Sequence, residues 1–337
     1  MRRRLTALIL TAALFLFAAP AALGAEGYSD VPETHWAAAD IREARERGIL
    51  TGLGEGRFGL GRPMGRAAFV TALVRLFGWE SVDPTGTVFE DVADGDWFAA
   101  PVETAAARGV LPGYTDEFRP LDPITREELV VMTVRALGYQ SLAASLAAEC
   151  PFPDVTSSQG YITLAADLGL AGGYQDGSFR PDAPAPREQA AAVLMRLCRR
   201  LSTPVRELAS PEGRVLLTEE VPSPEAGEAP AVTALEALYR LLRSAEPGAV
   251  LALSAGGWEI VAEGETVLSA RAVPEETVAA YRERPEAEDF YAAPYLSRYL
   301  TLREGERTVT VWYQTPETLA AKLRLAGLFG VTEYYLA

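Results

Sequence analysis

Apolar residues follow one pattern three times between residues 28 and 200. Each copy opens with a short aromatic and acidic segment and continues with apolar residues at helical spacing. A glycine-rich stretch follows, and a second, more apolar run closes the copy. Apolar spacing of three to four residues predicts helices, and glycine-rich stretches predict turns with positive φ. The pattern therefore predicts three helix–turn–helix repeats.

The repeats also share individual residues. They open with "YSDVPETHW", "FEDVADGDW" and "FPDVTSSQGY", and their second helices begin at "GRAAF", "TREEL" and "PREQA". Intervals of 60 to 63 residues separate the equivalent positions. These are Asp30, Asp91 and Asp154, then Phe58, Phe118 and Phe179, then Arg66, Arg126 and Arg187.

The arginine at each second-helix start is unexpected. Thr125 and Glu128 form a capping box, which explains their presence in the second repeat. A cation at the first helical position instead faces the positive end of the helix dipole. The cap residue and its partner vary among the repeats, whereas the arginine is present in all three.

Two explanations of the arginines are open. Each arginine pairs with a nearby carboxylate, such as the recurring aspartate, or each stands beside free helix-start N–H groups and binds a carboxylate or phosphate. The second explanation is favoured, because capping needs alone do not select arginine. For the aspartates, turn or capping hydrogen bonds are favoured over ion binding or ligand contact. For Trp36 and Trp97, sugar stacking and core packing remain open.

The repeats resemble the S-layer homology domain, with its F-x-D-V opening, Trp, glycine turn and T-R-A-E-like helix start. The resemblance covers about residues 28–200 and implies a pseudo-threefold bundle that binds secondary cell-wall polysaccharide, often pyruvylated, in grooves between repeats. It makes these residues glycan-binding candidates: Arg66, Arg126, Arg187, Asp30, Asp91, Asp154, Trp36 and Trp97. Repeats one and three lack the full helix-start motif, and repeat three has Tyr161 near the tryptophan position.

The amino terminus predicts export. "MRRR", an apolar run and the small-residue exit "AALGA" are typical of a secretory signal peptide over residues 1–25, with a retained anchor as the alternative. No membrane span is expected after cleavage. The predicted location is the cell surface and cell wall.

The composition of the chain disfavours some classes of binding partner. The net charge of −15 disfavours nucleic acid, which requires a basic face. One histidine, His35, and two cysteines give little support for a metal, and no cofactor is expected. Cys150 and Cys198 flank the third repeat and form either a disulfide or two free thiols.

The predicted domains are the signal peptide, repeats at 28–86, 87–149 and 150–201, a Pro- and Glu-rich linker at 202–230 with room for one short strand, and a small α/β domain at 231–337. The fold class is thus a mainly α amino-terminal region followed by α/β. In the last domain the pattern predicts helices in "AVTALEALYRLLRSA", "PEETVAAYRER" and "TPETLAAKLRLAGLFG". It predicts strands in "AVLALSA" and "VTEYYL" and a hairpin in "YLTLREGERTVTVWYQ".

The tail, residues 247–337, resembles the closing strand–helix–strand of family-18 glycoside hydrolases. Lys322 and Tyr334 occupy positions of that pattern, with Tyr334 where the family usually has Trp. The resemblance implies an acid Glu at the end of a D-x-x-D-x-D-x-E run, and the sequence has no such run. A complete barrel also needs roughly 250 residues. No catalytic residue is therefore assigned, and the domain is expected to be noncatalytic. Its aromatic residues are candidates for a sugar platform or for core packing: Phe290, Tyr291, Tyr295, Tyr299, Trp312 and Tyr313.

The favoured function is non-covalent anchoring to the bacterial cell wall through an anionic polysaccharide, with display of the tail. The alternatives are a cell-wall glycoside hydrolase and a structural subunit of a surface lattice. The sequence does not fix the glycan, the number of working grooves or the oligomeric state.

Overall fold

The computed structural model describes residues 27–83, 88–111, 116–218, 234–254, 256–292 and 296–336. The predicted signal peptide, the second half of the predicted linker and Tyr295 lie outside these residues.

The repeat region is helical, as predicted. Each repeat contributes a first helix, a turn and a longer second helix, and a short helix and a 3₁₀ turn at Ala147–Glu149 also join repeats two and three. The helices are α1 Ala38–Glu46, α2 Arg66–Phe77, α3 Ala99–Ala107, α4 Arg126–Leu137, α5 Gln140–Ser145, α6 Gln159–Asp167 and α7 Arg187–Leu201.

A closed ring of three backbone hydrogen bonds joins the repeats at their centre. The Met64 amide donates to Ala185 (2.8 Å), the Ala185 amide to Ile124 (2.9 Å), and the Ile124 amide to Met64 (2.8 Å). Each of these residues lies two positions before a second helix, and each is at most 1% exposed. Because the ring runs from repeat three back to repeat one, the three repeats form one closed unit with pseudo-threefold order.

Helix packing follows the same cyclic order. The first helix of each repeat packs on the second helix of the repeat before it: α3 on α2, α6 on α4, and α1 on α7. The recurring phenylalanines Phe58, Phe118 and Phe179 are each at most 2% exposed and belong to one continuous core. Burying three aromatic rings of this size makes a large contribution to stability.

The carboxyl-terminal region is α/β, which confirms the predicted fold class. Its helices are α8 Ala234–Arg243, α9 Glu275–Arg282 and α10 Pro316–Leu328. Its strands are β1 Arg206–Glu207, β2 Leu216–Thr218, β3 Val250–Leu253, β4 Gly257–Glu263, β5 Thr266–Val273, β6 Glu288–Ala292, β7 Ser297–Glu304, β8 Arg307–Tyr313 and β9 Glu333–Leu336.

These strands form two sheets. One is a four-stranded parallel sheet in the order β1-β9-β3-β2, and the other is a five-stranded antiparallel sheet in the order β5-β4-β8-β7-β6. The predicted hairpin is β7–β8, and Thr315 caps α10 as the sequence indicates. Strands β4, β5 and β6 were not predicted.

The first half of the predicted linker holds two short strands, where the sequence indicates room for one. Strands β1 and β2 lie within residues 202–230, and they pair with β9 and β3 respectively. Glu333 on β9 is paired with Arg206 and Arg214. Residues 206–218 are therefore part of the α/β region, held by sheet bonds that sequence periodicity over two or three residues does not reveal.

The α/β region also packs on the third repeat. Helix α10 lies against α7, and α8 lies against α5. The Tyr239 hydroxyl donates to Asp167, and Arg240 and Arg243 pair with Glu149 at 2.9 and 2.6 Å.

A test of this packing is Gly160→Ala. A Cβ at Gly160, in α6, would lie 1.6 Å from the carbonyl oxygen of Ala143 in α5, so the two helices must separate. We expect a loss of about 1–3 kcal/mol or more in unfolding free energy, measured by urea denaturation. Gly95→Ala is the control, because its Cβ would meet nothing within 4 Å. Equal stability of the two variants would contradict the packing of α5 on α6.

Candidate functional site

The three helix-start arginines bridge neighbouring repeats in cyclic order. Their Nε atoms donate to the carbonyl oxygen of the recurring phenylalanine in the following repeat, and the guanidinium lies 4.5–5.1 Å from the centre of its ring. The bonds are Arg66 to Phe118 (2.9 Å), Arg126 to Phe179 (2.8 Å) and Arg187 to Phe58 (2.9 Å). Every repeat thus uses its arginine to hold the next repeat's turn.

The helix-start amides of these arginines are not free. Each donates to a backbone carbonyl oxygen: Arg66 to that of Asp122 (3.0 Å), Arg126 to that of Ala183 (3.0 Å) and Arg187 to that of Arg62 (2.9 Å). The expectation that each guanidinium stands beside free N–H groups is therefore wrong for the arginines' own amides. The physical reason is the closure of the repeats, which brings a carbonyl group of another segment to each helix start.

The outer guanidinium nitrogens differ among the repeats. Arg66 Nη1 forms a 2.5 Å ion pair with Glu128, whereas Arg126 Nη1 donates to the neutral amide oxygen of Gln189 at 2.6 Å. Arg187 Nη1 lies 3.6 Å from the Met64 sulfur. The alternative of an internal carboxylate partner thus holds for Arg66.

The other outer nitrogen, Nη2, donates to backbone carbonyl groups in two of the three arginines. Arg126 Nη2 donates to the Gly172 carbonyl at 2.9 Å, and Arg187 Nη2 donates to the Thr51 carbonyl at 2.6 Å. Burial lowers the pKa of all three guanidinium groups, yet arginine stays protonated in proteins. Arg66 and Arg187 are 6% and 5% exposed, whereas Arg126 is only half-buried.

A surface cleft of about 270 Å³ opens at Arg126. All three repeats contribute to it, with Trp36 from repeat one, Arg126 from repeat two and the remaining polar lining from repeat three. That polar lining includes Tyr174, Gln189 and Arg196. The cleft therefore combines two cations, three aromatic rings (Trp36, Tyr174 and Phe179) and a side-chain amide.

Tyr174 lies between two positive groups. Its ring centre is 4.8 Å from the guanidinium carbon of Arg126 and 4.1 Å from that of Arg180. Asp176 accepts hydrogen bonds from Ser178 and from Arg180 (2.8 Å), which together hold the pKa of its carboxyl well below the usual range. A charged, hydrogen-bonded turn thus lies beside Tyr174.

The three aspartates hold the turns that carry the phenylalanines. Asp30 accepts from the Phe58 and Gly59 amides at 2.7 Å and from the Leu60 amide at 3.0 Å. Asp91 and Asp154 accept the equivalent pairs of amides at 2.6–2.9 Å. The three aspartate side chains thus make turn hydrogen bonds, the role that the sequence favours for them.

The turn needs that support because its backbone is left-handed. Arg119 and Arg180 have φ of 57° and 58°, where repeat one has Gly59 at 88°. Non-glycine residues rarely adopt such angles. In each case the residue's own amide donates to the aspartate, so the carboxylate holds the strained peptide in place.

The tryptophans are on the surface. Trp36 is 57% exposed and Trp97 is 63% exposed, which excludes the core alternative. Tyr161 in repeat three is instead half-buried against the core, with Arg135 5.8 Å from its ring centre. Among the candidates named from the sequence, Trp36 and Arg126 meet in the cleft.

Sequence reasoning missed Tyr174, Gln189 and Arg196. A signal for Arg196 existed, because Arg75, Arg135 and Arg196 recur at 60 and 61 residues, nine positions after each helix-start arginine. Gln189 stands in repeat three where repeat two has Glu128 of the capping box, and this position alone gives no sign of a binding role. Its approach to Arg126 joins residues 63 positions apart and is visible only in the closed bundle.

Other candidates have local roles or no shared site. Cys150 and Cys198 are both free thiols, and burial raises the pKa of Cys198. His35 Nδ1 accepts the Ala37 amide at 3.2 Å. Within the described residues no cluster of three metal-ligating side chains occurs. No helix in the described ranges is long and apolar enough to cross a membrane.

The aromatic candidates of the α/β region are divided between core and surface. Tyr313 is 4% exposed and donates to Asp289, whereas Phe290 and Tyr291 are exposed. Tyr299 stacks between Phe290 and Trp312, with ring centres 5.2 and 4.8 Å apart. Lys322 is buried in α10, and Tyr334 is half-buried in β9 and bonded to Glu207.

Comparison with known families gives one match, repeated three times. The S-layer homology domain matches residues 27–69, 88–130 and 151–191. These ranges hold the aspartate turns, the phenylalanines and the helix-start arginines described above.

Curated relatives share this region. A surface layer protein of Brevibacillus choshinensis is 34% identical over 137 residues, which is 39% of this chain and 12% of that protein. A middle cell wall protein of Brevibacillus brevis is 34% identical over 142 residues, 39% of this chain and 13% of its own length. A cellulosome-anchoring protein of Acetivibrio thermocellus is 33% identical over 115 residues, which is 33% of this chain and 26% of that protein. The chain thus matches about a quarter or less of each of these relatives.

Solved structures give a weaker likeness. The spore cortex-lytic enzyme SleL of Bacillus cereus has a TM-score of 0.28 and 15% identity, over 33% of this chain and 28% of that one. SleL of Bacillus megaterium has a TM-score of 0.26 and 14% identity, over 36% of each chain.

The turn role of Asp30 makes a prediction about acid stability. Burial acts to raise the pKa of Asp30, but hydrogen bonds from the Phe58, Leu60 and Gly59 amides outweigh it, and the pKa lies below its ordinary value. Since the folded pKa is lowered, this stabilisation is present above the unfolded pKa of about 3.9 and is lost as pH falls through the folded value. Asp30→Asn should lower the unfolding free energy by roughly 1–2 kcal/mol at pH 7. The side-chain NH₂ of asparagine is itself a donor, so it would face backbone N–H groups that now have a carboxylate oxygen as acceptor.

The measurement is urea unfolding at several pH values. We expect the difference between Asp30→Asn and the unsubstituted protein to shrink as pH falls below about 4. Glu33→Gln, an exposed charge change beside the same turn, is the control and should leave stability within about 0.5 kcal/mol. A difference for Asp30→Asn that is constant with pH would contradict the role of the charge.

Proposed function

The chain carries three S-layer homology domains, and from this premise we propose that it binds an anionic secondary cell-wall polysaccharide and so anchors itself non-covalently to the bacterial wall. Its location is the cell surface, in agreement with the surface layer and cell wall relatives. The pyruvate ketals often found on such polymers would supply the carboxylate. The ligand and its chemistry are part of the proposal.

The observation that carries the proposal is the cleft at Arg126. Its described hydrogen bonds use three of the five guanidinium N–H donors, so the group can still donate toward the cleft. Arg196 lies in the same cleft and has one described bond, from Nη1 to the Leu170 carbonyl at 3.1 Å. Two cations in one recess suit a carboxylate, since charge-assisted hydrogen bonds are stronger than neutral ones.

Trp36 supplies the complementary surface. Its indole is more than half exposed and lies in the cleft with Arg126. An exposed aromatic ring offers a flat apolar face to the C–H groups of a sugar, and its edge can donate a hydrogen bond. Cation and ring together would distinguish an acidic glycan from a simple anion.

The negative net charge does not oppose such binding. Exposed charges more than about 10 Å apart are largely screened at ~0.1 M salt, whereas Arg126 and Arg196 act on a ligand in contact with them. Local cations therefore outweigh the distant acidic surface.

For the α/β region we propose a noncatalytic role as the displayed domain. Two features support this. The sequence lacks the D-x-x-D-x-D-x-E run, and the described parallel sheet has four strands rather than the eight of a closed barrel. Glycoside hydrolysis requires a carboxylic acid positioned at the scissile oxygen, and the candidate sites identified above do not provide one.

Anchoring is tested with the protein from residue 26 onward and purified wall sacculi. We expect it to sediment with sacculi that retain the secondary polymer and to stay in solution after that polymer has been chemically removed. Equal sedimentation with both preparations would contradict binding to the polymer.

Trp36→Ala should weaken this binding about tenfold, because the cleft loses its stacking surface. Trp97→Ala is the matched control, since Trp97 is equally exposed but does not line the cleft at Arg126. Both changes are on the surface, so both proteins should unfold within about 0.5 kcal/mol of the parent. If Trp97→Ala weakens binding as much as Trp36→Ala, the ligand does not occupy this cleft specifically.

The noncatalytic role is tested by incubation with peptidoglycan and with chitin. We expect no release of reducing ends above that from heat-denatured protein. Release that depends on folded protein would instead support a wall glycoside hydrolase.

A further inference from the structure

One position differs systematically among the three arginine sites. In two of the sites the outer nitrogen Nη1 of the helix-start arginine contacts the third residue of the next repeat's second helix. That residue is Glu128 for Arg66 and Gln189 for Arg126, with the bonds given above. For Arg187 the equivalent residue is Ala68, and Met64 sulfur is the neighbour instead.

The charge at this position decides what a ligand meets. Glu128 sits 2.5 Å from Arg66 and 3.0 Å from Arg119, so it balances positive charge there and would repel an approaching carboxylate. Its other oxygen accepts the Thr125 amide at 2.9 Å, which keeps the carboxylate fixed in this place. Gln189 has nearly the same shape but no charge, so Arg126 keeps a full positive charge.

Access separates the remaining two sites. Arg187 is 5% exposed, with its outer nitrogens directed at Thr51 and Met64. Arg126 is half-buried and opens into the cleft, where Arg196 adds a second positive charge. The charge of Arg66 is therefore balanced by Glu128, and Arg187 is not accessible to a ligand. Arg126 is both accessible and, among the described residues, without a carboxylate at Nη1.

We propose that the Arg126 cleft alone binds the carboxylate of the wall polymer, and that the uncharged Gln189 is the residue that sets this specificity. The inference rests on the proposed anchoring function and deepens it. Gln189 acts by holding Arg126 in position without neutralising it.

The test exchanges the two side chains. Gln189→Glu should pair with Arg126 as Glu128 pairs with Arg66, and so weaken binding to polymer-bearing sacculi about ten- to a hundredfold. The ion pair replaces a hydrogen bond of the same geometry, so the thermal midpoint should be unchanged or raised. Loss of binding by a fully folded protein separates neutralisation from unfolding.

Two further variants are the matched controls. Glu128→Gln retains an oxygen for the Thr125 amide and frees Arg66, so binding should be equal to or tighter than that of the parent. Gln189→Ala removes the hydrogen bond without adding charge and should weaken binding much less than Gln189→Glu.

The outcomes distinguish this inference from the function beneath it. If the parent does not sediment with polymer-bearing sacculi, the anchoring proposal fails and the inference fails with it. If the parent binds but folded Gln189→Glu binds equally well, or Glu128→Gln loses binding to the same extent, anchoring stands and the assignment to the Arg126 cleft is overturned.

Discussion

The hydrogen bond from each helix-start arginine to a phenylalanine carbonyl of the next repeat is the interaction on which the bundle depends. It links a second helix to a turn 52, 53 or 129 residues away, at 2.8–2.9 Å in all three repeats. The central ring of Met64, Ile124 and Ala185 closes the same cycle in the backbone. This bond explains why an arginine is present at the first helical position. The hydrogen bond to a buried carbonyl offsets the unfavourable interaction of the cation with the helix dipole.

The same residue type thus has a structural role in every repeat, and the binding role proposed above falls only on the arginine whose surroundings permit it. Nε is committed to the neighbouring turn, which leaves the outer nitrogens to differ. A carboxylate, an amide or a thioether beside Nη1 then gives three chemically distinct positions from three nearly identical motifs. In the proposal, the repeats differ in function because a helix residue that faces a different repeat has changed.

Local structure could be predicted from the sequence, and non-local pairing could not. The repeat period, the capping box of Thr125, the β7–β8 hairpin and the cap of α10 all depend on residues a few positions apart. The partner of Arg126, the pairing of β1 with β9 and the cleft itself depend on segments far apart in the chain. The aspartates lie between these cases: their residue type predicts a turn role, but the amides that they bind lie 25–30 residues further along the chain.

Cyclic closure has a consequence for how the protein reaches its folded state outside the cell. Repeat one depends on Arg187, which lies 129 residues after its partner Phe58, so the bundle cannot close until α7 is available. Contacts of such large sequence separation slow folding and prolong the exposure of apolar helices. The repeats therefore stay open until α7, the last helix of the bundle, is in place, and α7 is the helix that locks the first repeat.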